Sequence, residues 1–311
     1  MLYYFAPMEG LTGPVFRRVH HEFFPGVDRY YTPFLSPTQN HVFTARDLRE
    51  ILPGEGDGVP TVPQLLGKTA ADLLWAMEEL AAMGYGEVNL NLGCPSSTVT
   101  AKGKGSALLG DPGALAALLE ELYAAAPLPL SLKTRLGLRE AGEFAGLLEV
   151  YNRFPAAELI VHARTRAEQY KGPVHPEVFA WAAAHTALPL CYNGDVRTAE
   201  DCRRLEEALP GLHAVMIGRG LVANPALVRE ARGGEKLAMD ELRSFHDALF
   251  AAYRQRYGAN NAMHRMKEVW ACLRENFPEG GHITGKIARA KDPETLLYWA
   301  GRAFAELKLP E

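Results

Sequence analysis

Cysteine is scarce. Four thiols, Cys94, Cys191, Cys202 and Cys272, are scattered over 311 residues with no C-x-x-C pair. That spacing disfavours a structural zinc site and a disulfide-stapled secreted domain, so no metal centre is expected. An excess of one charge is missing too. The 33 Lys/Arg stand against 37 Asp/Glu, and a net charge of −4 advertises no global attraction to nucleic acid. No apolar run approaches the roughly 20 residues needed to cross a bilayer. The N-terminal MLYYFAPMEG has no basic segment ahead of an apolar stretch, which reads as no secretory signal. A glycine-rich dinucleotide fingerprint is absent as well: Met8-Glu9-Gly10 follows the first strand instead. These absences predict a soluble, cytoplasmic protein of a reducing compartment, with no membrane association and no evident obligate protein partner.

What is present is alternation. Short β-rich runs at Tyr3–Ala6, Arg29–Thr32, Val62–Leu66, Glu87–Asn91, Leu130–Thr134, Leu159–Ala163, Leu190–Asn193 and Ala214–Ile217 read as eight strands. Helical segments at Ala70–Met83, Pro112–Ala125, Gly142–Phe154, Pro176–His185 and Thr198–Ala208 lie between the later ones. Eight such units over about 235 residues predict an α/β fold, a (β/α)8 TIM barrel, in preference to an open sheet. The loop 53–60, rich in Gly and acid, reads as solvated. Beyond Gly233-Gly234 the alternation stops, and Leu242, Phe245, Leu249, Ala252 and Tyr253 recur at helical spacing. The expected organisation is a barrel over 1–235 and a small all-helical domain over 239–311. From Met239 onward 11 Lys/Arg stand against 10 Asp/Glu, leaving 22 against 27 in the rest, a slight bias of the tail toward polyanions.

Barrel chemistry sits at the C-terminal ends of the strands. Polar groups recur there in seven of the eight strands. Asn193-Gly194-Asp195 and Gly218-Arg219-Gly220 follow the last two strands, where barrel phosphate sites are commonly built from backbone N–H groups, with Arg219 adding a charged donor. Tight strand-to-helix turns would explain either glycine alone, but not the pair on adjacent strands as well. Lys133 ends an apolar strand and is costly there unless it meets an electron-rich group, such as the N1–C2=O locus of a flavin. Gln64 and His162 share that level and can hydrogen-bond a planar heterocycle or a ribityl chain. His162 on its own would read as a satisfied core histidine. Cys94 lies in Asn91-Leu92-Gly93-Cys94-Pro95, above the mouth, followed by a stretch at Ala101–Ser106 expected to be mobile. The other three cysteines sit in apolar patterns that packing explains. Cys94 suits a nucleophile or a proton donor, and with no evident His-Asp pair to activate a thiolate, proton donation is favoured.

Taken together, Ala6-Pro7-Met8-Glu9-Gly10, Asn91-Leu92-Gly93-Cys94-Pro95, Gly103–Leu109, Lys133-Thr134-Arg135-Leu136-Gly137, His162-Ala163-Arg164-Thr165 with Tyr170-Lys171-Gly172, Asn193-Gly194-Asp195 and Met216-Ile217-Gly218-Arg219-Gly220 resemble the tRNA-dihydrouridine synthases in order and spacing. The chain departs from that family at Ser97, where a basic residue is common, and its tail matches only in Arg265-Met266-Lys267 and Trp270. The resemblance implies FMN held by Pro7, Met8, Glu9, Gln64, Lys133, His162, Asn193, Gly194, Asp195, Gly218 and Arg219. It implies that NADPH or NADH reduces the flavin, that hydride passes to C6 of a uridine, and that Cys94 supplies the proton at C5. The substrate would be tRNA. A stacked base cannot reach a barrel floor, so it must be flipped out. Asn91 and Arg135 are candidate base contacts, and Lys102, Lys104, Arg265 and Lys267 candidate phosphate contacts; ordinary solvated charge explains those four lysines and arginines equally well. Competing expectations are a flavin barrel acting on a free pyrimidine or an enoate, which needs no helical tail, an enzyme acting on another RNA, and a flavin-binding module without catalysis, which needs no Cys94.

Overall fold

A computed structural model describes residues 1–52 and 58–310. Of the loop expected to be solvated, residues 53–57 lie outside the described residues. Nine parallel strands form one sheet: β1 (Leu2–Phe5), β2 (Arg29–Tyr31), β3 (Thr61–Val62), β4 (Gln64–Leu65), β5 (Val88–Asn91), β6 (Leu130–Arg135), β7 (Leu159–His162), β8 (Leu190–Asn193) and β9 (Ala214–Ile217). Their order is β3-β2-β1-β9-β8-β7-β6-β5-β4. The two ends of that order, β3 and β4, are halves of a single strand divided at Pro63, which has no N–H to give the ladder. Pro63 still accepts from Asn89 N at 2.9 Å, so the sheet closes through it into a TIM barrel of eight strand positions.

Side-chain alternation sorts the strands into two cores. Val88, Leu90, Leu130, Leu132, Leu159, Val161, Val215 and Ile217 face the surrounding helices and join the large core. Tyr4, Tyr31, Ile160, Cys191, Ala214 and Met216 fill the inside of the barrel as a second, smaller cluster. The helices expected from Ala70 to Ala208 are found, the third beginning as a short 3-10 turn at Ala141–Glu143 before Phe144–Tyr151. Helices also lie where none is expected, Arg219–Ala223 and Leu227–Ala231 after the last strand and two before β3. Pro14–Phe23 buries Val15, Phe16, Val19 and His20, and Ala45–Ile51 is capped by Thr44, whose Oγ1 accepts from Asp47 N. Of the stretch expected to be mobile, Gly105 and Ser106 belong to a 3-10 turn, Gly105–Gly110, and are buried, while a helical turn, Ser97–Thr100, precedes it.

After Gly234 four helices follow: Met239–Tyr257, Ala259–Leu273, Gly281–Arg289 and Pro293–Glu306. Their apolar faces continue the large core of the barrel without a break. Phe245 sits among the rings of Phe16, His20, Phe23 and Phe24, with centroids 5.4–6.2 Å away. Tyr253 donates its hydroxyl to Leu11 O, and Ala259–Leu273 packs on the short helix Arg219–Ala223. Among the described residues no helix is long and apolar enough to cross a membrane.

Candidate active site

The loops that leave the C-terminal ends of the strands surround a cavity of about 440 Å³. Pro7, Met8 and Glu9 reach it from β1, Gln64 from β4, Asn91 and Cys94 from β5, Lys133 and Arg135 from β6, and His162 from β7. Asn193, Gly194 and Asp195 after β8, with Gly218 and Arg219 after β9, close the ring. All eleven residues expected to hold a cofactor therefore line one space, together with the thiol. The volume suits a ligand of drug or cofactor size.

One side of that space is set by a hydrogen-bond chain with a fixed sense. Glu87, just before β5, and Asn89 and Asn91 along it alternate and share one face. The N–H groups of Gly93 and Cys94 donate to Asn91 Oδ1 at 3.1 and 2.9 Å, and Asn91 Nδ2 donates to Gln64 Oε1 at 2.7 Å. Gln64 Nε2 donates to Asn89 Oδ1 at 2.8 Å, Asn89 Nδ2 to Ser131 Oγ at 3.1 Å, and Ser131 Oγ to Glu87 Oε1 at 2.8 Å. Arg29 donates to the other Glu87 oxygen. Backbone N–H groups can only donate and a carboxylate can only accept, so both ends impose the same orientation on every amide between them. Gln64 and Asn91 thus present defined donors and acceptors to the cavity. Cys94 is tied in from its other sides: Ser106 donates through both N and Oγ to Cys94 O, and Arg135 Nε donates to Gly93 O at 2.8 Å.

The cavity carries excess positive charge. Lys133 Nζ donates to Asn193 Oδ1 at 2.9 Å and meets no carboxylate among the described residues. Burial, then the neighbouring Arg135, push its pKa down to about 8. Burial and then Arg135, Lys133, Arg164 and Arg219 hold His162 far below its ordinary value, so it is a neutral imidazole. Burial also pushes the Cys94 thiol up, which keeps it protonated at neutral pH, and the other three cysteines are buried in the cores. Arg164, which the sequence offers only as part of a motif, lies on the cavity wall beside His162, buried and paired with Asp195. Asp195 also accepts from Arg219 at 3.1 Å; burial raises its pKa, but the two arginines outweigh this and hold it below the usual carboxylate range. A carboxylate so engaged aims two guanidiniums. Beside them Gly220 admits no side chain, since a Cβ there would sit 2.3 Å from Val196 O. A lysine without a counter-ion, two arginines fixed by one aspartate and glycine turns at the end of the barrel fit the N1–C2=O edge and the phosphate of FMN.

Four expected phosphate contacts lie elsewhere. Lys102 is exposed on the loop beyond Cys94, and Lys104 Nζ bonds Ser36 Oγ at 2.9 Å. Arg265 stacks on the rings of Tyr253 and Tyr257 and donates to Gly10 O at 3.2 Å. Lys267 donates to Ala290 O inside the helical tail. Tyr170 and Phe34 line the cavity without having been singled out as site residues by sequence. Among the described residues no three His, Cys, Asp or Glu side chains are grouped to hold a metal ion.

A family model described as dihydrouridine synthase (Dus) matches residues 4–281. The tRNA-dihydrouridine(16) synthase of Aquipseudomonas alcaligenes is 29% identical over 305 residues, 94% of this chain and 96% of that protein. That of Cupriavidus necator is 32% identical over 93% of each. Among solved structures, morphinone reductase superposes with a TM-score of 0.53 at 14% identity, covering 78% of this chain and 88% of that one, a likeness of fold alone.

Proposed function

The chain belongs to the dihydrouridine synthase family, and on that premise we propose that it reduces uridine 16 of transfer RNA to 5,6-dihydrouridine, using FMN and NAD(P)H in the cytoplasm. The observation that carries this reading is that Cys94 and the unpaired ammonium of Lys133 line one cavity. The position rests on the names of relatives aligned along almost the whole chain, tail included.

FMN, when bound, supplies the hydride that reaches C6 of the uracil. Lys133 holds the N1–C2=O edge of the ring system, with Gln64 and His162 as neutral hydrogen-bonding neighbours. Arg164 and Arg219, oriented by Asp195, and the Gly194 and Gly218 turns would hold the phosphate, with Pro7, Met8 and Glu9 following β1 beside the Gly218 turn. Cys94, kept protonated by its burial, gives its proton to C5. Asn91 and Arg135 border the base and keep the Cys94 loop in place. The barrel over 1–235 carries this chemistry, and the helices over 239–311 take part in holding the RNA.

Mapping dihydrouridine by mass spectrometry in transfer RNA from a strain lacking the gene tests the reading. Loss at position 16 alone, restored by the wild-type gene and not by Cys94→Ala, is the expected result. Loss at another position would overturn the position, and no loss at any position would overturn the function.

A further inference from the structure

A second, larger cavity of about 1020 Å³ adjoins the first and shares Glu9, Phe34, Cys94 and Tyr170 with it. Its outer wall is a ledge made of two loops. The chain after β6 and the chain after β7 are joined by backbone bonds, Leu136 N to Arg164 O, Arg166 N to Gly137 O and Ala167 N to Leu138 O, at 2.9–3.0 Å. Arg135 clamps this ledge to the Cys94 loop, donating to Gly93 O as well as to Thr165 O and Gln169 O. Ledge and thiol are therefore held in one frame.

Two arginines stand on the ledge and line the groove, Arg139 and Arg166. The acids beside them are committed elsewhere. Glu143 accepts from the backbone N–H groups of Leu138, Arg139 and Glu140, and Glu168 accepts from Thr165 and bonds His175. Arg166 reaches only the hydroxyl of Thr100, at 3.3 Å, and Arg139 has no side-chain ion pair among the described residues. Arg46 on the facing wall is already neutralised by Glu9. The groove thus holds two guanidiniums that form no salt bridge among the described residues, Arg139 lying within reach of the Glu143 charge, next to the thiol that meets the base. A uridine delivered to Cys94 brings a phosphate on either side of it, and guanidinium is the side chain that best matches phosphate.

We propose that Arg139 and Arg166 form a phosphate-binding ledge for the RNA strand that flanks the flipped uridine. The inference rests on the function proposed above. The reductant also carries phosphates, but it has no use for the Cys94 proton beside which the ledge is fixed.

The test uses the FMN-loaded full chain, with Arg139→Gln/Arg166→Gln and Arg139→Lys/Arg166→Lys double variants. Retained FMN and an unchanged melting temperature serve as the folding control, and Arg203→Ala on the outer helix as the charge control. KM for unmodified transfer RNA is measured as a function of salt. Each phosphate contact contributes about 0.7–0.9 to the log–log slope, so the glutamine pair should flatten it by roughly 1.4–1.8 and raise KM at low salt. The lysine pair should restore most of the slope. In a second arm, KM for NADPH in the flavin half-reaction should stay at the wild-type value. An unchanged RNA slope in the glutamine pair overturns the ledge. A shift confined to the NADPH arm assigns the arginines to the reductant and also overturns it. Failure of wild-type reduced enzyme to react with transfer RNA at all overturns the proposed function, and the ledge with it.

Discussion

Alkaline pH should release FMN through Lys133. The ammonium has only the Asn193 amide for a partner, and burial and Arg135 depress its pKa from 10.5 to about 8. A bound electron-rich edge that accepts from the ammonium favours the charged form. Full restoration spans 2.5 units, which at about 1.36 kcal/mol per unit caps the coupling near 3.4 kcal/mol. A group with a pKa of about 8 when free and 10.5 when bound loses roughly 25- to 30-fold in ligand affinity between about pH 7 and 9.5, about 15-fold of it above pH 8. Fluorescence quenching of FMN by apoprotein, titrated across that range, reads this directly. Lys133→Met should bind FMN weakly at pH 7 and show a nearly flat profile. Stability of the apoprotein should move the other way. Between about pH 8 and 10.5 the unfolded chain keeps a proton on Lys133 that the folded chain has shed, so folding gains as pH rises through that window. The urea midpoint of wild-type apoprotein should climb there relative to Lys133→Met while FMN affinity falls. An FMN affinity in wild type that stays level from pH 7 to 9.5, or falls as steeply in Lys133→Met, would refute the assignment of Lys133 to the electron-rich edge of the cofactor.

Cys94→Ala should keep NADPH-driven flavin reduction and slow RNA-dependent reoxidation by about 10²–10⁴-fold in stopped flow, since general acids contribute in that range; reoxidation at the wild-type rate would mean another donor. Gly220→Ala should weaken FMN retention by about tenfold or more, ~1.4 kcal/mol, because its Cβ would meet Val196 O at 2.3 Å; unchanged dialysis-resistant flavin would remove Gly220 from the cradle. Phe245→Ala should cost about 3–5 kcal/mol in a single denaturation transition, because its ring is buried among four rings of the barrel side. Separate transitions for barrel and tail would show that their common core does not couple them.

Six of the nine strands were legible because each alternates apolar outward residues with inward ones over four to six positions, and that signal is local. The split at Pro63 is missed, Val62–Leu66 reading as one strand, although a proline inside a strand run removes a ladder donor. The helix Ala45–Ile51 carried a readable Thr44–Asp47 capping pair, lost among the polar residues around it. Residues 101–106 misled for a physical reason. Glycine and lysine content suggests mobility, yet Ser106 and Gly105 pack against Cys94, a contact no local pattern contains. Asp195 shows the same limit on the chemical side. Its place after β8 puts it at a cofactor, but a carboxylate facing a phosphate would repel it. Its work becomes clear only when Arg164, 31 residues away, is seen to pair with it.

The placement of Cys94 bears on how a target base is chosen. Its loop is held by Asn91 from within the barrel, by Arg135 from β6 and by Ser106 from the following turn, so the acid is in position before any substrate arrives. The inner cavity is furnished with groups for a flavin phosphate, a flavin ring and one pyrimidine ring. Any uridine that is flipped into it meets the same atoms, whichever position it left in the RNA. Under the proposed function, discrimination among uridines would then come from how the rest of the RNA is seated, through surfaces outside the cavity such as the proposed arginine ledge and the helical tail. The tail bears on this doubly, because Arg265 and Tyr253 hold the carbonyls of Gly10 and Leu11, next to the Pro7–Glu9 wall. On the proposed function, RNA seated on the tail would press on residues that also border the proposed cofactor site, which would tie recognition at the surface to the geometry of the reacting site.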